Sequence, residues 1–184
     1  SLTRAIRLND RVIKTWTNIL KKVPYSKLII NSGNFEHDEV KDIYIEKFKQ
    51  NGIPQDRLDI GYSSPPWNIL KKIDIGLDCF PHNSGTTLVE HLYMGNPYIT
   101  LADRPSVGRI GSHYLHGIGH SEWIAHSEEE YVEKACALSS DLQALSRIRV
   151  QLRSDMEASP LRNEKAFVKK LEYNYQQMWE NYLI

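Results

Sequence analysis

The sequence predicts an α/β fold in which helices flank a parallel sheet. Two observations lead to this prediction: short apolar runs alternate with longer amphipathic segments, and the order strand, helix, strand repeats along the chain. Such alternation is typical of βαβ units, whose strands run parallel. Ligands of parallel sheets bind outside the carboxyl ends of the strands. We therefore expect a functional site in the loops that begin at Asn31, Gly61, Asp78 and Ala102.

The first half of the chain contains three predicted helices and three predicted strands. Apolar residues at helical spacing predict a first helix from Asp10 to Val23, which Pro24 ends. A second helix is expected to close at Asn51-Gly52, because glycine commonly follows the last helical turn. The predicted elements here are helix 10–23, strand 27–30, helix 36–50, strand 58–60, helix 63–72 and strand 73–78.

In the second half of the chain, two predicted helix–strand pairs are followed by three predicted helices. Ser127 and Glu130 have the spacing of a capping box, which marks the start of a helix. The last helix carries an apolar stripe that we expect to pack mainly on its own domain: Phe167, Leu171, Tyr175, Met178 and Tyr182. The predicted elements are helix 86–94, strand 97–101, helix 107–116, strand 123–125 and helices 127–140, 142–156 and 164–182.

Length and charge limit the classes of protein to which the chain can belong. Its 184 residues suit one domain, and we interpret residues 1–184 as a single domain without repeats or flexible linkers. The 23 basic and 23 acidic residues balance, which argues against a nucleic-acid partner and against a polybasic membrane surface. No apolar run approaches the ~18 residues of a membrane helix.

The cysteines and histidines give little indication of disulfide bonds or of a metal site. Cys79 and Cys136 lie in an apolar run and a helical segment, so we expect both to be buried free thiols in a reducing compartment. With no visible signal peptide, the cytoplasm is the expected location. His113, His116 and His120 lie close in sequence but lack accompanying cysteines or carboxylates, so we predict no metal site.

The segment Asp78–Glu90 is the strongest candidate for a binding site. Ser84-Gly85 forms a turn where backbone can approach a ligand, and Thr86 and Thr87 follow in the first helical turn, where free N–H groups attract phosphate. Glu90 lies one turn later on the same face of the helix, and its carboxylate could accept hydrogen bonds from both hydroxyls of a ribose. This spacing suits a nucleoside diphosphate. The alternative is that these are ordinary capping residues, since the segment has neither a P-loop nor a dinucleotide fingerprint.

The same segment resembles the donor-binding half of the O-GlcNAc transferases, the SPINDLY-like family of protein glycosyltransferases usually linked to TPR repeats. Their pattern is close to D-I-x-L-D-x-F-P-Y-N-G-x-T-T-x-x-E-A-L-W-M-G-x-P, and this chain reads D-I-G-L-D-C-F-P-H-N-S-G-T-T-L-V-E-H-L-Y-M-G-N-P from Asp74 to Pro97. The resemblance continues through 100–111, 122–125 and 130–132, and near the end of the chain at 158–161 and 175–179. Upstream, W-T-N-I-L-K-K-V-P from Trp16 resembles the family's W-x-x-I-L-x-x-V-P helix.

The resemblance implies one half of a GT-B glycosyltransferase, in which two Rossmann-like domains face each other across the active site. This chain corresponds to the second half, which binds UDP-GlcNAc as the donor for transfer to Ser or Thr of a protein acceptor. The partners implied are the N-terminal catalytic half and TPR repeats of the same polypeptide, and no metal or other cofactor is needed. The implied diphosphate and ribose contacts are Ser84, Gly85, Thr86, Thr87 and Glu90.

The family also places a basic residue near the start of this half, in a pattern like F-N-x-x-x-K-I, to neutralise the departing UDP. Arg7 stands at the lysine position, which makes it the expected catalytic residue, and Arg4 matches a second polar position. Arginine keeps the charge but differs from lysine in reach and shape. The alternative for both is a solvated N-terminal arm.

Further donor contacts are implied for two loops. Tyr62 and Ser63 lie in the loop 61–67, which looks about three residues shorter than the family's and lacks its basic residue and histidine. His82 and Asn83 precede the phosphate turn, and a hydrogen bond within the loop is the alternative role for His82. A second hypothesis therefore stays open: a degenerate module that binds a nucleotide, or nothing, and serves assembly.

The family pattern also places a central strand just before Arg4. The sequence begins almost inside that motif, so we expect this first strand to be truncated or absent. In GT-B enzymes the C-terminal helix often crosses towards the other domain, so part of the apolar stripe of the last helix is a candidate surface for that half.

Overall fold

Five short parallel strands and eight α-helices make up the fold in the computed structural model, which describes residues 1–183. The α/β class is confirmed. The strands are β1 (Leu28–Asn31), β2 (Leu58–Gly61), β3 (Gly76–Leu77), β4 (Tyr98–Leu101) and β5 (Ile124–Ala125). The helices are α1 (Asp10–Lys22), α2 (Asp38–Gln50), α3 (Trp67–Leu70), α4 (Thr86–Tyr93), α5 (Ile110–Gly117), α6 (Glu128–Ser140), α7 (Leu142–Ala158) and α8 (Glu164–Tyr182).

Most boundaries agree with the sequence patterns, and the exceptions have local causes. The helix predicted over 63–72 is confined to α3, because Pro65 and Pro66 lack the N–H group of a helical residue and disfavour helical conformation in the residue before them. The strand predicted over 73–78 keeps only β3. The helix predicted from Val107 begins at Ile110, because the Val107 and Gly108 carbonyls accept hydrogen bonds from Asn83 N and Asp103 N instead of from a helical turn.

The strands form two sheets rather than the one predicted. One contains β1 and β2, the other has the order β3-β4-β5, and every pairing is parallel. The first residues of the chain lie beside β1: Leu2 forms an isolated bridge with Asn31, and the Ser1 amine donates to the Ile29 carbonyl at 2.6 Å. In place of the family's central strand, which we expected to be truncated or absent, the described residues contain only this single bridge.

One apolar core joins the two sheets. Trp16 of α1, Tyr131 of α6 and Phe80 of the loop after β3 belong to the same buried cluster, and all three are fully enclosed. Helix α1 packs directly on α6, which brings the N-terminal helix across to the second sheet. The loops at the carboxyl ends of β1, β2 and β3 are held at one edge by this packing.

The predicted capping box at the start of α6 forms from the N-cap Ser127 to Glu130, and the return hydrogen bond of Glu130 goes to the residue before the N-cap. Ser127 Oγ accepts a hydrogen bond from Glu130 N at 3.1 Å, while Glu130 Oε2 accepts one from His126 N at 2.7 Å. We expect Ser127→Ala to lower the free energy of unfolding by about 1 kcal/mol, because an N–H at the helix start loses its acceptor. Chemical denaturation measures the loss. Ser140→Ala, at the other end of the same helix, is the control, and an equal loss in both variants would contradict the assignment.

Two predictions about burial need correction. Cys79 is buried as expected, but Cys136 is only half-buried, since its helix faces solvent on that side. The apolar stripe of α8 does not pack on the rest of the described chain: every residue of it is exposed to some degree, with Phe167 at 66% and Met178 at 66%. Amphipathic spacing predicts the helix but cannot say what covers its apolar face. Among the described residues, no helix is long and apolar enough to cross a membrane.

Candidate functional site

A polar cleft of about 430 Å³ opens at the carboxyl ends of β1 and β2, beside the start of α4. Most of the residues predicted to bind the donor line it: Arg4, Arg7, Tyr62, Ser63, Gly85, Thr86, Thr87 and Glu90. Segments that are distant in sequence therefore meet at the edge where ligands of parallel sheets bind. Their roles in binding stay predictions, but their proximity is a feature of the fold.

The start of α4 offers free backbone donors to this cleft. Gly85 is the N-cap residue and provides no side-chain cap, and within residues 1–183 the N–H groups of Gly85, Thr86 and Thr87 have no backbone acceptor. A Cβ at Gly85 would meet nothing within 4 Å, so this position leaves open space at the helix start. Free N–H groups, the positive end of the helix dipole and two hydroxyls together suit an anionic group.

Glu90 follows one turn later, on the side of α4 that faces the cleft. Burial raises the pKa of its carboxyl above the usual range. Within the described residues the carboxylate has no hydrogen-bond donor and no cation beside it, so both oxygens are free to accept hydrogen bonds from a ligand. A pair of neighbouring hydroxyls, such as those of a ribose, fits a carboxylate in this position.

The arginines lie on a short 3₁₀ turn, Ala5–Arg7, which neighbouring elements fix in place. Asn34 Oδ1 accepts from Ala5 N at 3.2 Å and Tyr44 donates its hydroxyl to the Ala5 carbonyl at 2.7 Å. Arg7 lies with Nη2 3.3 Å from His82 Nε2. The backbone of the turn is therefore anchored, and both arginines line the cleft.

The loop after β2 is held by Asn31, which the sequence analysis named as the start of a loop but without this role. The Asn31 amide accepts from Ser63 N at 2.7 Å and donates to the Ser63 carbonyl at 3.1 Å, which clamps the loop to the end of β1. Tyr62 lies next to Gly33, where an added Cβ would be 3.8 Å from its ring. The position of Asn31 at the end of a strand could have indicated it, but nothing in the sequence reveals the partner loop.

Three predicted donor contacts do not lie on the cleft. Asn83 is fully buried, with its side chain donating to the Cys79 carbonyl at 2.9 Å and accepting from Gly111 N at 3.2 Å. Ser84 is also buried, and its backbone N–H donates to Asp78. His82 is exposed, and its Nε2 lies 3.3 Å from Nη2 of Arg7, which lines the cleft, so its contact is to the N-terminal turn rather than within its own loop, and its role in donor binding stays a prediction. Asn83 and Ser84 therefore support the turn from behind, whereas His82 lies beside an arginine of the cleft rim.

The electrostatics near the cleft favour a neutral His82. Partial desolvation of the exposed ring lowers the pKa of His82, and the nearby guanidinium groups of Arg7, Arg104 and Arg4 lower it further. A neutral imidazole can accept a hydrogen bond from Arg7 through Nε2 and so orient that side chain. Among the described residues, no group of three or more His, Cys, Asp or Glu side chains could hold a metal ion.

Comparisons with known proteins assign the chain to a family. A model of glycosyl transferase family 41 matches residues 3–171. The chain is 33% identical over 99% of its length to a protein of Solanum lycopersicum named a probable UDP-N-acetylglucosamine–peptide N-acetylglucosaminyltransferase SPINDLY. It is also 30% identical over 94% of its length to a protein of Arabidopsis thaliana with the same enzyme name and the designation SEC.

Solved structures agree with the fold. A mutant of the Thermobaculum terrenum O-GlcNAc transferase superposes with a TM-score of 0.85 at 28% identity, covering 92% of this chain and 33% of that one. Anabaena HepE, solved in complex with UDP and glucose, superposes with a TM-score of 0.64 at 12% identity, which supports the fold alone. The chain spans 20% of the length of the Solanum relative. A family match over almost the whole chain, together with the expected cleft, shows that this chain belongs to glycosyl transferase family 41.

Proposed function

We propose that this chain is the donor-binding half of a protein O-glycosyltransferase that transfers GlcNAc from UDP-GlcNAc to Ser or Thr of a protein acceptor. The observation that carries the proposal is the meeting of the α4 N-terminus, Glu90 and two arginines around one cleft. Family membership supports a glycosyltransferase, and relatives with this enzyme name support the donor and acceptor. The cytoplasm remains the compartment that we expect.

The proposed chemistry divides between this chain and a partner half. An acceptor hydroxyl oxygen attacks C1 of the sugar while the bond from C1 to the diphosphate oxygen breaks, and the electron pair leaves with UDP. The N–H groups at the α4 start and the Arg7 guanidinium stabilise the negative charge on that leaving group, a role that metal ions play elsewhere. We place the group that takes the acceptor proton on the N-terminal half, which the proposal assigns to the same polypeptide.

Donor binding is tested by calorimetric titration of the full-length polypeptide with UDP. We expect Thr87→Val and Glu90→Gln each to raise Kd about tenfold, because the first removes a hydrogen bond to the diphosphate and the second removes the charge from a hydrogen bond to the ribose, each worth about 1.5 kcal/mol. Glu172→Gln, on the exposed face of α8, is the matched control. Unchanged affinity in both cleft variants would remove this site.

A second function is favoured by one specific feature. The loop that carries Tyr62 and Ser63 looks about three residues shorter than the family's, and among the described residues Asn31 has the only side chain that hydrogen-bonds to it. Weak donor affinity would suit a non-catalytic assembly module. A transfer assay with radiolabelled UDP-GlcNAc on the full-length polypeptide separates the two, and labelling of any protein acceptor would exclude the module.

A further inference from the structure

Asp78 lies directly behind the turn that faces the cleft, and it is fully buried at the end of β3. Its Oδ1 atom accepts two backbone hydrogen bonds, from Ser84 N at 2.7 Å and from Cys79 N at 2.9 Å. Its Oδ2 atom is 2.8 Å from Thr100 Oγ1 on β4. The carboxyl group therefore connects both ends of the loop 79–84 to the neighbouring strand.

Helices α5 and α6 pack closely around Asp78. The Tyr131 hydroxyl of α6 donates to the Asp78 carbonyl at 2.9 Å. A Cβ added at Gly111 would lie 2.8 Å from Asp78 Oδ2, so the start of α5 packs as closely as glycine allows. Because the carboxyl position is fixed by β4, α5 and α6, the Ser84 N–H that it holds is fixed as well. The free N–H groups of Gly85 to Thr87 follow immediately in the chain.

The buried carboxyl group has no neutralising partner. Within residues 1–183 it forms no ion pair, and burial raises its pKa to about 7 against the opposing hydrogen bonds from Ser84, Thr100 and Cys79. The titratable groups packed around it stay neutral near pH 7, since burial raises the pKa of Cys79 to about 12 and that of Tyr98 and Tyr131 well above 10. Further out, burial lowers the pKa of His91 to about 3 and that of the Ser1 amine to about 5, which leaves both uncharged.

We propose that Asp78 is a positioning residue of the donor site: it fixes the phosphate-facing turn through the Ser84 N–H, and it carries a proton when the anionic donor is bound. The inference rests on the proposed function. A negative charge close behind the turn opposes a diphosphate in front of it, and the low local dielectric strengthens that repulsion. Protonation removes the charge without breaking the clamp. The proton comes from solvent and sits on Oδ2, from which it donates to Thr100 Oγ1, while Oδ1 continues to accept from Ser84.

Asp78→Asn is the decisive variant because an amide reproduces the neutral carboxyl group. Its oxygen can accept from Ser84 N, its NH₂ can donate to Thr100 Oγ1, and it cannot ionise. The probe is UDP-GlcNAc, whose diphosphate diester does not titrate near neutral pH, added to the full-length polypeptide between pH 6 and 8.5. We expect the Kd of the unmodified protein to rise about three- to tenfold over this range, as charge repulsion of this kind predicts, and the Kd of Asp78→Asn to stay constant. His82→Gln should retain the full slope, which assigns the slope to Asp78 rather than to the exposed imidazole.

A second measurement tests the positioning without any ligand. We expect Asp78→Ala to accelerate hydrogen exchange of the Ser84 amide at least tenfold, because Ser84 N loses its acceptor, while Asp78→Asn leaves that exchange rate unchanged. Exchange that is the same in Asp78→Ala as in the unmodified protein, or a pH slope that persists in Asp78→Asn, overturns the inference. If exchange responds as expected but no form of the protein binds UDP-GlcNAc, the positioning role stands and the proposed function is the part that fails.

Discussion

Replacing Arg7 by methionine in the full-length polypeptide is expected to lower kcat about 10²- to 10³-fold, the usual cost of removing one group that stabilises developing charge. Arg7 lies on a backbone turn that Asn34 and Tyr44 fix, at the rim of the cleft into which the α4 start points. The guanidinium charge is required most when the bond between sugar and diphosphate breaks. The loss should therefore fall on kcat more than on the KM for UDP-GlcNAc.

The variant Arg7→Lys separates the charge of the side chain from its shape. Arg7→Lys restores the charge but not the planar fork, and it cannot reproduce the 3.3 Å contact with His82 in the same geometry. We expect its kcat to lie between those of the methionine variant and the unmodified protein. Arg147→Met removes an exposed arginine on α7 and serves as the control. A kcat for Arg7→Met within twofold of the control would show that this residue does not act on the leaving group.

Much of the fold follows from the sequence because its signals are local. Helical spacing and caps place α1, α6 and α8 within about two residues of their observed limits, since hydrogen-bonded helices depend on neighbours three and four residues away. The α/β class follows from the alternation of elements. The division into two sheets does not follow from the sequence. It depends on a tertiary contact, the single bridge by which the residues near Ser1 pair with β1.

The candidate site likewise has residues that local sequence signals predict and residues whose positions depend on contacts distant in sequence. Thr86, Thr87 and Glu90 could be predicted because one helix sets their relative positions. The resemblance to a family added Arg4 and Arg7, which no spacing argument brings to the α4 start. Asn83 and Ser84 lie in the same motif, but their burial depends on Gly111 and Asp78, which lie 28 and 6 residues away along the chain. The sequence identifies the motif but not which of its side chains line the cleft.

The largest expected effect on stability comes from Trp16→Ala, which should lower the free energy of unfolding by about 3–5 kcal/mol. Trp16 is 0% exposed and belongs to the core that joins the two sheets, so removing its indole leaves a cavity where α1 packs on α6. Such a loss is a large part of the stability of an ordinary domain, and we expect partial unfolding at 37 °C. Urea denaturation followed by circular dichroism measures the change.

Trp179→Ala is the matched control, since it deletes the same side chain from the exposed helix α8, where Trp179 is 60% exposed. We expect a change below about 0.5 kcal/mol for this variant in the chain of residues 1–184, because little apolar surface is lost from the interior. The difference between the two tryptophans therefore measures how much of the stability depends on the core that connects the sheets. Equal losses would mean that α8 is covered in solution, and a small loss for Trp16→Ala would mean that α1 does not hold the two sheets together.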